Sequence, residues 1–296
     1  MSTRVGIIGL GNMGSGMACN LQRHLAAQGS RLRVFDLDPA KVQTQVDNGA
    51  EACESAQDLI TQVDVLFTSL PSAVQIDALA PQIFAQGTPA LTWFETSTND
   101  LAHWQALRDQ APSSMQLIDA PITGGYEGAR DGTLTVLLGG EPEAIEPHRA
   151  LLESISKKAQ HMGPAGAGYI TKLAQLHLNY LVALGMGEAL MLGAKGGLDM
   201  STLHQVLMNS CAQSYVVDAY TPRVLDGSYD PSFALGLARN DMALINELGQ
   251  HLQVPLELGQ QVLAAYDQAT EQYGAEAPHL SVLRRIEDAT DTPLRS

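Results

Sequence analysis

The sequence predicts an α/β N-terminal domain with a doubly wound, mostly parallel sheet, followed by an all-α C-terminal domain. One long helix joins the two domains. Short apolar runs alternate with helical patterns through the first half of the chain, as in sheets with crossover helices. A glycine-rich start at residue 163 leads into an apolar stretch that reaches residue 195, and helical patterns follow it. We therefore predict domains at residues 1–164 and 165–296.

Composition limits the classes of function that need to be considered. The 296 residues suffice for two domain cores, and 17 Lys and Arg against 32 Asp and Glu give a net charge of −15. Such a surface repels nucleic acid and anionic membranes, so we expect neither as a partner. Three scattered cysteines and an N-terminus that enters a strand almost at once predict a cytoplasmic protein without a signal peptide. We find no Cys/His cluster at metal-ligand spacing and expect no metal.

The strongest motif is a glycine-rich turn between a predicted strand, Val5–Ile8, and a helical pattern. Its residues are Gly9, Leu10, Gly11, Asn12, Met13 and Gly14. In a dinucleotide-binding turn, Gly9 permits the tight bend, Gly11 lets the backbone approach a pyrophosphate, and Gly14 allows close packing of helix on strand. The arrangement predicts a Rossmann-type domain with the phosphates at the helix N-terminus.

Asp36 ends the second predicted strand, Leu32–Phe35. A carboxylate at this place can accept hydrogen bonds from the adenosine ribose and repels a 2′-phosphate, which favours NAD over NADP. An alternative is that Asp36 only starts the turn before the next helix. However, Asp38 and Pro39 already supply an N-cap and a first helical residue.

Polar or glycine residues follow several other predicted strands, where ligands gather in a parallel sheet. The predicted strand Leu117–Ala120 is followed by Thr123, Gly124 and Gly125. This turn can offer a hydroxyl and two unhindered amides to a carboxylate. An ordinary glycine turn explains the same residues.

The long helix carries one polar stripe. Lys172, Gln175 and Asn179 fall within about 60° of one another on a rod that is otherwise mostly apolar. A lysine in such a helix usually has a partner or a task, although Lys172 can also extend to the surface from the helix start. We expect the helix to be buried on nearly all faces as a core helix, since it also carries His, Asn and Glu. Its apolar surface exceeds what one small domain can cover, which predicts a homodimer or homotetramer that uses the helical domain.

Amphipathic segments continue to the C-terminus, near residues 200–209, 233–252 and 256–273. Asn240 and Asp241 lie within one of them, where a cap or a surface pair is the ordinary explanation. The residues from Asp288 onward are expected to be frayed.

Three segments together resemble the β-hydroxyacid dehydrogenase family, which includes 3-hydroxyisobutyrate dehydrogenase and tartronate semialdehyde reductase. They are Gly6–Gly14, Asp119–Gly125, and Gly163–Gly168 leading to Lys172. The resemblance covers about residues 4–288.

The resemblance implies a role for each matched position. Thr123, where the family usually has serine, would hold the substrate carboxylate together with Gly124 and Gly125, and Lys172 would be the catalytic residue. The nicotinamide half of the cofactor would lie against Leu70, Pro71 and Thr98.

Two positions depart from the family pattern. Leu176 stands where the family usually has an amide residue, a role for which Gln175 and Asn179 are the nearby substitutes. Asn240 stands where the family tends to have a lysine near cofactor and substrate. The missing cation predicts a different or larger substrate, or a weaker demand for positive charge in the pocket.

These observations predict an NAD-dependent oxidoreductase that moves a hydride between a β-hydroxy acid, or its semialdehyde, and nicotinamide. Lys172 would act as general acid and base, helped by burial that favours its neutral form. Two alternatives are a related reductase of an imine or of a sulfonated or phosphorylated aldehyde, and a dehydrogenase-like scaffold that binds NAD without chemistry.

Overall fold

A computed structural model describes residues 3–86 and 90–296, which form two compact units, Met1–Lys172 and Leu173–Ser296. The long helix passes through the boundary. The sequence predicted a boundary after residue 164, in the loop before this helix, whereas the grouping of contacts places it after Lys172.

Within the described residues, the first unit contains a nine-stranded sheet in which three central strands, Val5–Ile8, Val65–Thr68 and Thr92–Glu95, are short and wholly buried. Its strands are β1 Val5–Ile8, β2 Arg33–Phe35, β3 Glu51–Ala52, β4 Val65–Thr68, β5 Thr92–Glu95, β6 Gln116–Asp119, β7 Ile122–Thr123, β8 Leu134–Gly139 and β9 Ser156–Gly163. The order is β3-β2-β1-β4-β5-β6-β8-β7, with β9 paired to β8. The pairs from β3 to β6 are parallel, while β8 runs antiparallel to β6 and β7. The predicted doubly wound, mostly parallel sheet is confirmed.

Helices cover both faces of this sheet. They are α1 Asn12–Ala26, α2 Pro39–Asp47, α3 Ala56–Thr61, α4 Ala73–Gln86, α5 Leu101–Gln110, α6 Gly125–Asp131, α7 Pro142–Ile145 and α8 Arg149–Ile155. Successive strand residues point to opposite faces, so that Phe67 and Phe94 join one apolar core while Leu66 and Trp93 join the other. Two cores separated by one sheet are the packing that a doubly wound fold requires.

The second unit is helical, as the sequence predicted. Helix α9, Ala167–Lys195, enters it from the first unit, and the elements that follow are α10 Met200–Met208, α11 Tyr215–Leu225, α12 Leu235–His251, α13 Glu257–Tyr273 and α14 Arg284–Thr290. Tyr180 packs edge-on against Tyr266 with 5.4 Å between ring centroids, and it donates its hydroxyl to Asp241 at 2.7 Å. The close approach of α9 to Leu283 requires a glycine, because a Cβ on Gly187 would lie 2.5 Å from the leucine side chain.

Helix α9 departs from the expectation that it is buried on nearly all faces. Its length and composition would allow it to cross a membrane, yet the same is true of core helices in soluble proteins, and 44% of its most apolar window is buried. Leu178 and Leu192 are 63% and 77% exposed. A single chain therefore leaves one apolar stripe of this helix uncovered.

The expectation that the C-terminal residues are frayed is also wrong. Residues beyond Asp288 are not frayed, because Leu294 is fully buried and its amide donates to the Glu287 carboxylate. Arg295 donates to the same carboxylate at 3.1 Å and to the Tyr229 hydroxyl at 2.9 Å. The end of the chain is held by these partners, of which Tyr229 lies 66 residues away in the sequence and is invisible to local patterns.

Candidate active site

The glycine-rich turn is built as its spacing predicted. Gly9 has φ +94°, and a Cβ there would lie 2.2 Å from the Ser69 carbonyl oxygen. A Cβ on Gly14 would lie 2.0 Å from the Gly9 carbonyl oxygen, so helix α1 packs against the turn as closely as backbone allows. Only glycine fits either place.

Gly11 differs from its two neighbours in the motif. It is the N-cap of α1 without a side-chain hydrogen bond, and a Cβ built on it meets no heavy atom within 4 Å. The protein therefore does not itself require glycine at this position. Backbone amides that open a helix, beside space free of side chains, suit a pyrophosphate. The residues present thus fit the nucleotide that the motif predicts, with Leu10, Asn12 and Met13 completing the turn.

Asp36 lies directly against this turn. Its carboxylate accepts hydrogen bonds from the Leu10 amide at 2.6 Å and from the Asp38 amide at 2.9 Å. The side chain is half-buried at the carboxyl end of β2. Asp36 thus forms the local turn, as the alternative from sequence described, and it also lies against the glycine motif. Its contact with a ribose stays a prediction. Asp38 caps α2 through the Ala40 amide at 2.9 Å, as predicted.

The loops after β4 and β5 are joined by a side chain that sequence reasoning did not single out. The Leu70 amide donates to the Ser97 hydroxyl at 2.9 Å, which brings Leu70 next to the segment carrying Thr98. Leu70 and Thr98 are half-buried and Pro71 is exposed. These three predicted cofactor positions lie at the carboxyl ends of adjacent parallel strands.

The turn after β7 presents two glycines that adopt positive φ in succession, +131° at Gly124 and +68° at Gly125. Thr123 is half-buried at the end of β7, and both glycines are exposed. A Cβ on Gly125 would meet no heavy atom within 4 Å, so the backbone of the turn is open to a small molecule.

Lys172 lies half-buried in the second turn of α9, at the end of the first unit. The first turn of that helix is tied to the strand end that precedes the Thr123 turn. The Asp119 carboxylate accepts hydrogen bonds from the Gly166 amide at 2.7 Å and the Gly168 amide at 2.8 Å. The lysine and the predicted carboxylate-binding turn are thus both connected to the last residue of β6.

The remaining predicted positions belong to the second unit. Gln175 is exposed, while Asn179 is half-buried and accepts from the Tyr220 hydroxyl at 3.4 Å. Leu176, which stands at the family's amide position, is buried.

Asn240 is exposed on α12. Arg239 precedes it, and its guanidinium forms an exposed ion pair with Asp267 at 2.7 Å. Asp241 is buried and holds Tyr180, so the Asn240-Asp241 pair is not simply a surface pair.

Sequence reasoning did not assign a role to two buried carboxylates, Glu95 and Asp119, or to Tyr169, which contacts both of them. Burial raises the pKa of both acids, although hydrogen bonds from their neighbours oppose this. An acidic residue that ends an otherwise apolar strand was the available signal. Within residues 3–86 and 90–296, no three His, Cys, Asp or Glu side chains are grouped to hold a metal ion.

Comparison with known proteins agrees with this geometry. Residues 4–163 match the profile of the NAD binding domain of 6-phosphogluconate dehydrogenase. Residues 166–286 match the profile described as NAD-binding of NADP-dependent 3-hydroxyisobutyrate dehydrogenase. The cofactor class is therefore a nicotinamide dinucleotide.

Relatives along the whole chain are dehydrogenases. An NAD-dependent L-serine dehydrogenase of Pseudomonas aeruginosa is 31% identical over 300 residues, covering 97% of this chain and 98% of that protein. A 2-(hydroxymethyl)glutarate dehydrogenase of Eubacterium barkeri is 32% identical over 262 residues, covering 87% and 86%. The structure of Mycobacterium tuberculosis 3-hydroxyisobutyrate dehydrogenase with L-serine matches at a TM-score of 0.87 and 25% identity, covering 97% of this chain and 99% of that one. The chain therefore belongs to the β-hydroxyacid dehydrogenase family and is an oxidoreductase of that type.

Proposed function

We propose that the protein oxidises a small β-hydroxy acid, or reduces its semialdehyde, with Lys172 as general base and general acid. The main support is one connection within the first unit. Asp119 ends β6, leads into the Thr123-Gly124-Gly125 turn, and binds the first turn of the helix that carries Lys172. A proton-transfer group and a candidate carboxylate-binding turn are thereby attached to the same strand end.

The residues of the chain divide the chemistry as follows. The Thr123 hydroxyl and the amides of Gly124 and Gly125 bind the substrate carboxylate, which the net charge of −15 otherwise repels. The Lys172 amine accepts the hydroxyl proton as the carbonyl forms, and it returns the proton in the reverse direction. When bound, the nicotinamide supplies the hydride acceptor or donor. Gln175 and Asn179 follow Lys172 on the polar stripe of α9 and are proposed to contact the substrate from that helix.

We further propose NAD as the cofactor. Asp36 places a carboxylate beside the glycine turn, and Asp38 adds a second one nearby. Negative charge at this position favours a free ribose hydroxyl over a 2′-phosphate. Leu70, Pro71, Thr98 and Asn240 are proposed to lie near the nicotinamide half.

Asn240 bears on the choice of substrate. An amide in place of the family's lysine removes one cation, and the adjacent Arg239 is paired with Asp267 in this structure. We therefore propose a hydroxy acid with a polar rather than a second anionic group. Related proteins are named for L-serine, L-threonate, 3-hydroxyisobutyrate and 2-(hydroxymethyl)glutarate, and these four acids form a graded panel.

The test follows NADH absorbance with this panel for the wild type and three variants. Lys172→Ala should lower kcat by about 10²–10⁴-fold while NAD binding persists. Lys172→Arg should be similarly impaired, because a guanidinium keeps its proton at all working pH values. Lys195→Ala, on the same helix, removes a lysine that donates to the Thr290 carbonyl at 2.7 Å and should retain the rate.

Two results would contradict the proposal. If Lys172→Ala kept most of its rate, another group would move the proton. If the wild type bound NAD tightly and oxidised none of the acids, a scaffold without chemistry would be favoured.

We also propose that the protein is a homodimer or homotetramer assembled through α9. Leu178 and Leu192 are separated by 14 positions, which places them about 40° apart around the helix axis, on one face. Both are more than half exposed, and Gly185 between them is exposed as well. An apolar stripe of this length on a soluble protein is typical of an interface between subunits.

A further inference from the structure

Two buried carboxylates end neighbouring strands of the sheet and have no part in the chemistry proposed above. Glu95 and Asp119 are register partners at the ends of β5 and β6, and both are fully buried. Burying an acid is unfavourable unless hydrogen bonds compensate for the lost water. The hydrogen-bond partners of these two acids therefore indicate their structural role.

Three of the partners of Asp119 lie at the start of α9, and the fourth lies in α5. Its carboxylate accepts from the amides of Gly166, Gly168 and Tyr169 at 2.7, 2.8 and 3.3 Å, and from the Trp104 indole at 3.2 Å. Amides in the first turn of a helix have no partner within the helix, and negative charge is favourable beside them. Asp119 thus acts as an N-cap that is supplied from a distant strand.

The fit around Asp119 depends on glycines. A Cβ on Gly139 would lie 2.2 Å from the Asp119 carboxylate, and a Cβ on Gly168 would lie 2.7 Å from it. A Cβ on Gly168 would also lie 2.4 Å from the Leu137 carbonyl oxygen. The Asp119 side chain is therefore packed directly against the backbone of β8 and of the first turn of α9, with no room for side chains between them.

Glu95 holds the same helical turn through a side chain. The Tyr169 hydroxyl donates to its carboxylate, and the Ser97 amide donates to it at 3.0 Å. The Ser97 hydroxyl in turn accepts from the Leu70 amide at 2.9 Å. Through Glu95, the start of α9 is connected to the two loops proposed to receive the nicotinamide.

We propose that Asp119 is a positioning residue, which fixes the first turn of α9 and so holds Lys172 at a set place relative to the Thr123-Gly124-Gly125 turn, while Glu95 supports the same turn through Tyr169. This inference rests on the proposed function of Lys172. Lys172 follows Gly168 by one helical turn and Thr123 follows Asp119 by four residues, so little chain separates either group from the cap. Misplacement of a catalytic group by about 1 Å costs on the order of 10²-fold in rate.

The first test uses Asp119→Asn, which keeps the shape of the side chain but removes one of its two acceptor oxygens. We expect kcat to fall about 10- to 100-fold, with the KM for the hydroxy acid and the Kd for NAD each changing less than about threefold. Hydrogen exchange should accelerate in the amides of residues 166–172. The matched control is Asp199→Asn. Asp199 also caps a helix, since it accepts from the Thr202 amide of α10 at 2.7 Å, but α10 carries no proposed catalytic residue.

A second variant covers the case in which Asp119→Asn does not fold. Tyr169→Phe removes only the hydroxyl that reaches Glu95, and we expect a several-fold loss of kcat with unchanged affinity for NAD. A variant that loses thermal stability alone, with kcat per folded molecule unchanged, would overturn the positioning role. The proposed function would survive that result if Lys172→Ala were still inactive, whereas a wild type without turnover would overturn both.

Discussion

The Asp36 carboxylate accepts a hydrogen bond from the Leu10 amide, with 2.6 Å between the nitrogen and Oδ2. This contact fixes the end of β2 against the glycine turn, so the acid and the helix N-terminus form one surface. A carboxylate has about four acceptor positions, and the Leu10 and Asp38 amides use two of them. The remainder can serve ribose hydroxyls.

Replacing Asp36 by asparagine should weaken the preference for NAD. The neutral amide is a poorer acceptor for the ribose and no longer repels a 2′-phosphate, so the ratio of NADPH to NADH affinity should rise at least about tenfold, equivalent to ~1.4 kcal/mol. Fluorescence titration with both reduced cofactors measures the ratio. The control Asp47→Asn, at the exposed end of α2, should leave it unchanged. An unchanged ratio in Asp36→Asn would exclude the ribose role.

Two alanine substitutions in the glycine turn should affect different properties, one the binding of NAD and the other the stability of the fold. Gly11→Ala should bind NAD at least about tenfold more weakly at nearly unchanged Tm, because its Cβ meets no protein atom within 4 Å but would meet a pyrophosphate. Gly14→Ala should lower Tm, since its Cβ would lie 2.0 Å from the Gly9 carbonyl oxygen. Differential scanning fluorimetry with and without NAD separates the two. Unaltered NAD binding in Gly11→Ala would count against the phosphate position.

Asp230 should make the stability of the second unit sensitive to acid. It is buried, accepts from His279 Nε2 at 3.0 Å and from the Ser232 hydroxyl at 2.6 Å, and forms an ion pair with Arg223. Burial alone would raise the pKa of Asp230, but the hydrogen bonds from His279 and Ser232 and the charges of His279 and Arg223 outweigh it and hold this pKa well below its ordinary value.

The direction of the pH effect follows from that lowered pKa. The ionised Asp230 stabilises the fold above the pKa of an unfolded aspartate, about 3.9, and this contribution is lost as the pH falls below that value. Asp230→Asn should therefore lower the free energy of unfolding by about 2–3 kcal/mol at pH 7, and the difference from wild type should shrink below about pH 4. Urea titrations across this pH range measure it.

An exposed ion pair provides the comparison. Arg239 and Asp267 lie 2.7 Å apart with side chains 39% and 47% exposed, so Asp267→Asn should cost less than about 1 kcal/mol. Equal losses in the two variants would show that burial does not strengthen the Asp230 contacts.

Charge placed on the exposed stripe of α9 should reduce the oligomer. Leu178→Glu or Leu192→Glu would bury a carboxylate in the proposed interface, and we expect a lower molecular mass in size-exclusion chromatography with light scattering. Leu252→Glu makes the same change at a residue that is 44% exposed but lies beyond the end of α12, and it should leave the mass unaltered. A monomeric wild type at micromolar concentration would refute the proposal.

The sequence alone determined the features that depend on local geometry. Gly9 and Gly14 were predictable because the turn needs a positive φ at Gly9 and the helix packs against the Gly9 carbonyl at Gly14, and both requirements lie within the motif. The strands β1 to β6 other than β3 were predictable from apolar runs, and the cap at Asp38 from its proline neighbour. Strand β3, with two exposed residues, carries no such pattern.

Only the tertiary structure decided which buried polar groups meet. Asp119 finds the amides of Gly166 and Gly168, and Glu95 finds Tyr169, across long separations in the chain. Arg295 likewise donates to the Tyr229 hydroxyl across 66 residues of sequence. A residue's own neighbours in sequence set its backbone conformation, but the partner of a buried charge is chosen by packing, because any distant donor can satisfy it and only the folded chain determines which donor is within reach.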